Sequence, residues 1–86
     1  MLTLPEAAVL IALKVSGPMT VQSLQTGEVG LDHTTGVGLI AMRLEQAKLI
    51  LGYGLPRQYG LLAAGDDAVR VWRREAGALV ARAWED

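Results

Sequence analysis

His33, Thr34 and Thr35 stand together just before an apolar pattern of helical period. At a helix N-terminus, hydroxyls and backbone amides jointly favour an anion such as a phosphate. A histidine in that turn could touch a phosphate or a base; a solvated imidazole and two capping threonines are the plainer readings. The next residues, Gly36-Val37-Gly38-Leu39-Ile40-Ala41, fit the G-x-G-x-x-G/A pattern that lets a helix approach a pyrophosphate. No apolar strand precedes them, no acidic residue lies about 20 positions on, and the chain cannot hold two βαβαβ halves, so no nucleotide cofactor is expected. Glycine costs about 1 kcal/mol relative to alanine inside a helix. The pair therefore indicates either a late helix start near Thr35 or a close backbone approach to a phosphate or partner. Asp66-Asp67 is a carboxylate pair, yet two acids near a helix start simply complement the helix dipole. No nucleophile, base and orienting partner converge, so an enzyme is not expected. With no cysteine and one histidine, the ligands for a zinc ion are missing from the sequence.

The elements that must position these groups fit in one domain of 86 residues, 51% of them apolar. A body this small buries only about 60–65% of the surface its unfolded chain exposes. So apolar a composition leaves surface for a partner, and self-association is an early expectation. The net charge is −1, with Lys14, Arg43, Lys48 and Arg57 balanced by Glu6, Glu28, Asp32 and Glu45 up to residue 64, and four arginines against five acids beyond it. Neither half is a basic block, which weighs against indiscriminate nucleic-acid binding. The longest uncharged apolar stretch, Ala7 to Leu13, is far short of the roughly 20 residues that span a bilayer. No basic segment opens the chain and Glu6 falls near its start, so a signal peptide does not fit and a cytoplasmic location is expected.

Thr3-Leu4-Pro5-Glu6 has the form of a capping box, which predicts a first helix with Ala7, Leu10, Ile11 and Val15 on its apolar side and Ser16-Gly17-Pro18 as its stop. Met19-Thr20 allows a scrap of strand, and Thr20 or Val21 opens a brief helix through Leu24, ended by Gly27. Asp32 is a suitable N-cap for a long central helix with Val37, Ile40, Ala41, Leu44 and Ala47 in one stripe. Alternation of Leu51, Tyr53, Tyr59 and Leu61 around Gly54-Leu55-Pro56-Arg57 predicts a hairpin. Helical spacing returns from Gly65 to Trp84, with Val69, Trp72, Ala76, Leu79 and Ala83 on one side.

This order of elements resembles the winged helix-turn-helix of the MarR and PadR transcriptional regulators over almost the whole chain. Leu44-Glu45-Gln46-Ala47-Lys48-Leu49-Ile50 is similar to the Leu-Glu-x-x-Gly-Leu-Ile/Val exit from that family's recognition helix, with Lys48 in place of the glycine. Tyr59-Gly60-Leu61-Leu62-Ala63-Ala64-Gly65 is similar to its Tyr-x-Leu-Thr-x-x-Gly exit from the wing, with Leu62 in place of the threonine. The fold class so implied is mainly α with a small β-hairpin (α+β). Residues 1–64 would be the winged helix-turn-helix and 65–86 a C-terminal helix of the same domain; an irregular helical bundle and another small α+β fold are the alternatives.

The resemblance implies a homodimer held by that last helix through Val69, Trp72, Ala76, Leu79, Ala83 and Trp84. It would bind double-stranded DNA through His33, Thr34, Thr35, Arg43, Lys48, Arg57 and Gln58. Arg43 would reach a guanine from the recognition helix, the plainer reading being a solvated charge or a pair with Glu45 or Glu28, and Arg57 would grip phosphate or the minor groove from the wing tip, where a solvated charge is the plainer reading. A different class of function is a protein-binding adaptor or inhibitory subunit that docks a partner through Gly38, Leu39 and Met42. Apolar side chains can meet only thymine methyls on a base edge but make an ordinary protein contact.

Overall fold

A computed structural model describes residues 2–26 and 36–84 of the chain. Thr3 caps the first helix, α1 (Leu4–Ser16), because both halves of the box form: the Thr3 Oγ accepts from the Glu6 N–H at 3.3 Å and the Glu6 carboxylate accepts from the Thr3 N–H at 2.8 Å. Gly17, at φ +79°, ends the helix and donates its N–H to the Leu13 carbonyl. The expected apolar side is only partly right. Ala7 and Leu10 are buried and Ile11 is half-buried, but Val15 is 79% exposed, while Val9, Ala12 and Leu13 are buried instead. The cause is the helix's central position: α3, α4 and β3, defined below, all pack on it, so more than one of its sides is covered.

The short strand β1 (Met19–Thr20) leads directly into α2 (Val21–Thr26), where the Thr20 hydroxyl accepts from the Ser23 N–H at 3.1 Å and caps the turn. Leu24 is the buried anchor of α2. The central helix, α3 (Val37–Gln46), starts later than an Asp32 cap would have it. Gly36 takes the left-handed conformation, φ +85° and ψ 25°, immediately before Val37, and a helix cannot run through that turn. Of the two readings of the paired glycines, the late start is therefore closer. Val37, Ala41 and Leu44 form the buried side and Ile40 is half-buried, whereas Ala47 is exposed beyond the last turn.

The end of α3 is a complete Schellman motif. Lys48 stands in the left-handed region at φ +61°, its N–H bonds the Glu45 carbonyl at 2.9 Å, and the Leu49 N–H reaches the Leu44 carbonyl at 3.0 Å. Lysine occupies a position that glycine fits without strain. The chain then forms β2 (Ile50–Tyr53) and β3 (Gln58–Leu61), with Leu51 opposite Gly60, Gly52 opposite Tyr59 and Tyr53 opposite Gln58. Gly54 at φ +80° and a cis Leu55–Pro56 bond turn the hairpin. Because β1 pairs with β3, the antiparallel sheet runs β1-β3-β2. Mainly helical with a small sheet, the chain is of the expected α+β class.

The last helix, α4 (Ala63–Trp84), begins two residues before Gly65. Gly65 lies in its first turn, where a Cβ would come within 2.2 Å of the Leu49 carbonyl oxygen and 2.7 Å of Leu61. That glycine serves a close approach rather than a helix start. The core gathers Val9, Leu10, Leu13, Leu24, Leu44, Ile50, Tyr59 and Val69 between the helices and the inner sheet face. Each such aliphatic chain contributes on the order of 1.5–3 kcal/mol by leaving water. Among the described side chains of α4, Val69 is the last that is buried; Trp72 and Ala76 are half-buried, and residues 77–83 are exposed. The tail of α4 thus leaves the body of a molecule measuring 51 × 27 × 20 Å.

Two sets of substitutions test this architecture. Thr3→Ala should cost about 0.5–2 kcal/mol of stability through loss of the cap. The backbone N–H of Thr3 and then its hydroxyl hold the Glu6 carboxyl below its ordinary value. Its contribution is therefore complete above about pH 4.3 and is lost as pH falls through the lower folded value. The stability gap between wild type and Glu6→Ala should accordingly hold at neutral pH and narrow as pH falls below about 4.3; a gap independent of pH would place the helix start elsewhere. In denaturant melts, Lys48→Gly should gain about 1 kcal/mol by relieving the left-handed lysine. Gly65→Ala should lose on the order of 3 kcal/mol, since the obstacle is backbone rather than a movable side chain.

Candidate functional site

At about 100° per residue, the buried line of Val37, Ala41 and Leu44 directs Leu39 and Gln46 away from the core, with Met42 beside them. Leu39 is 50% and Met42 49% exposed, so the outer face of α3 is apolar and uncharged at its centre. The neighbouring helix α2 exposes Gln22, Ser23 and Gln25, again without charge. Gly38 faces α2, where a Cβ would make an ordinary 4.0 Å contact with Val21. Alanine would fit there, so Gly38 is not required by packing.

Arg43 and Glu45 lie on opposite flanks of α3. Arg43 is exposed beside the start of α1 and the middle of α4, where it borders an open groove of about 540 Å³ with Leu2, Glu6, Val71, Trp72 and Glu75. Its positive charge also helps lower the Glu6 carboxyl. Glu45 faces the hairpin. One of its oxygens, Oε2, accepts from the Gly52 N–H at 3.1 Å and from Arg57 Nη2 at 2.6 Å, while the Arg57 guanidinium lies 5.6 Å from the Tyr59 ring centroid. Gly52 makes room for this arrangement, because a Cβ there would fall 2.6–2.7 Å from both the guanidinium and the carboxylate. Arg57 is thus folded back from the hairpin turn onto α3.

The remaining expected site residues are scattered. His33, Thr34 and Thr35 lie outside the described residues, as does Asp32. Lys48 is exposed at the end of α3, and Gln58 is half-buried on β3 opposite Thr20 and Tyr53. Arg43 borders the groove beside α1 and α4, whereas Arg57 is held by Glu45 on the opposite flank of α3, so the pairing of Arg43 with Glu45 open to the sequence does not form. In α4, Val69 is used in the chain's own core and offers nothing to a second copy; Trp72 and Ala76 are half-buried, and Leu79 and Ala83 are exposed. The Trp84 side chain lies outside the described set. Asp66 pairs with Lys14 and, at 3.0 Å, with Arg70. The Lys14 hydrogen bond, with Arg70 assisting, holds its carboxyl below the usual range, so its part in the acidic pair is to anchor α4 to α1.

Sequence reasoning missed Glu45 as an organiser and Gly52 as the space that admits it. The available signal was a strand glycine facing an aromatic, with a carboxylate and a guanidinium nearby in sequence. Among the described residues, no cluster of His, Cys, Asp or Glu is arranged to hold a metal ion, and no helix is long and apolar enough to cross a membrane. Comparison with family models, curated proteins and solved structures gives no match to this chain.

Because Leu39 and Met42 touch solvent rather than core, Leu39→Asp and Met42→Asp should leave the unfolding midpoint nearly unchanged, within about 0.5 kcal/mol. A large loss of stability would show that this face is already packed.

Proposed function

We propose that the chain is a winged helix-turn-helix regulator that binds double-stranded DNA as a dimer. The observation that carries this reading is the arrangement itself: a capped short helix, α2, precedes α3, and α3 runs through a Schellman turn into a hairpin whose β3 pairs back onto β1. In this reading α3 would enter the major groove as a recognition helix while the adjoining hairpin, as a wing, would reach the backbone. Leu39, Met42 and Gln46 would face base edges and thymine methyls. His33, Thr34 and Thr35 would serve phosphates ahead of the helix, with Lys48, Arg57 and Gln58 beside the wing and Arg43 at the flank. The tail of α4, through Leu79, Ala83 and Trp84, would join two copies and set their α3 helices about 34 Å apart on a near-palindromic site.

A second reading, a protein-binding adaptor, is favoured by the uncharged, half-exposed Leu39 and Met42. Retention of genomic DNA fragments at two salt concentrations, beside a pull-down from native cells, separates the two. For a regulator, wild type retains fragments at low salt, and Arg43→Ala costs about 1–3 kcal/mol at a site where it reads guanine. For an adaptor, no fragment is retained and Leu39→Asp or Met42→Asp abolishes capture of a protein partner. Dimerisation has its own check by sedimentation. Truncation after Gly77 spares every buried position described and should convert a dimer into a folded monomer; full-length protein that is already monomeric at micromolar concentration removes the dimer from the proposal.

A further inference from the structure

Resting on the DNA-binding reading, we propose that Glu45 restrains the hairpin's grip on the phosphate backbone by holding Arg57 against α3, so that Arg57 engages a phosphate only by exchanging ion-pair partners. The Arg57 side chain is 54% exposed but is not a free cation, since Glu45 Oε2 sits 2.6 Å from Nη2 and the Tyr59 ring supports the guanidinium from the side. Glu45 is itself fixed, because the same oxygen accepts from the Gly52 N–H. The restraint is built from three elements: the carboxylate comes from α3, the backbone donor and the missing Cβ from β2, and the guanidinium with its aromatic support from the end of the turn and β3.

A protein cation that neutralises a phosphate releases the counterion condensed there, which strengthens binding and steepens its salt dependence. Arg57 gains this only after leaving Glu45, and its departure strands a carboxylate beside a polyanion. The wing then binds duplex more weakly than its residue types suggest. Nothing in this depends on base sequence, so the effect falls on affinity for any duplex.

The test uses full-length protein and a mixed-sequence duplex, with affinity measured across a salt series. Glu45→Gln keeps an acceptor for Gly52 but removes the charge, and should tighten binding roughly two- to fivefold at low salt. The slope of log affinity against log salt should steepen by about 0.9, one phosphate contact. Gly52→Ala provides a route without any change of charge, because its methyl displaces the pair and should tighten binding in the same direction. Adding Arg57→Ala to either variant should cancel the gain, so that Arg57→Ala costs more affinity in the Glu45→Gln background than it does in wild type. A gain that survives Arg57→Ala would reduce Glu45 to a repulsive charge near DNA and overturn the inference, as would variants that bind like wild type. If no variant, wild type included, retains duplex at low salt, the DNA reading itself falls and the inference with it.

Discussion

The Leu49 backbone joins three parts of the molecule within one residue. Its N–H closes the Schellman turn on the Leu44 carbonyl at 3.0 Å, and its own carbonyl accepts from the Leu62 N–H at 3.1 Å while lying against the Cα side of Gly65. The first bond sets the direction in which the chain leaves α3, the second closes the base of the hairpin, and the close approach seats the first turn of α4. The left-handed Lys48 is the cost of this junction, since a lysine must adopt a conformation worth roughly 1–2 kcal/mol to an L-residue so that Leu49 can turn inward. That turn sets where the hairpin and α4 begin, and the Lys14–Asp66 pair then holds α4 on α1.

Several of the described charges stand in local pairs around this frame. Asp66 fastens α4 to α1 through Lys14 and binds Arg70 along its own helix, Glu45 fastens α3 to the hairpin through Arg57, and Arg43 stands near Glu6. Exposed pairs of this kind each contribute little to stability. Among the described residues, the outer face of α3 around Leu39 and Met42 carries no charge at its centre.

Features of the chain governed by local rules were readable from sequence. The Thr3 capping box, the hairpin around Gly54 and most of the buried side of α3 follow from short-range chemistry and form as the residue types suggest, although Ala47 at the end of that stripe is exposed. The failures share a different cause. Asp32 is a good cap by composition, but Gly36 takes the left-handed turn that starts α3, and glycine's permissiveness leaves no positive signal for which turn it makes. Val15 matches the period of α1 yet is bare, because the period does not reveal how many neighbours pack a helix or how far along it they reach. Glu45 is a partner for Arg43 by nearness in sequence, but the helical angle between them turns its carboxylate to the hairpin and Arg57, a contact spanning twelve positions that residue type alone does not record.

One further consequence follows from the way Gly52 is bonded. The sheet order leaves β2 at an edge, and an edge strand offers its outward amides as a template for strands of other molecules, a common route to aggregation. Here the Gly52 amide is already committed to the Glu45 carboxylate, and the guanidinium of Arg57 lies across the same place. An incoming strand would have to strip a charged acceptor from its donor and bury a carboxylate to continue the ladder. The same side chain that ties the hairpin to α3 thus also raises the cost of extending the ladder along the β2 edge.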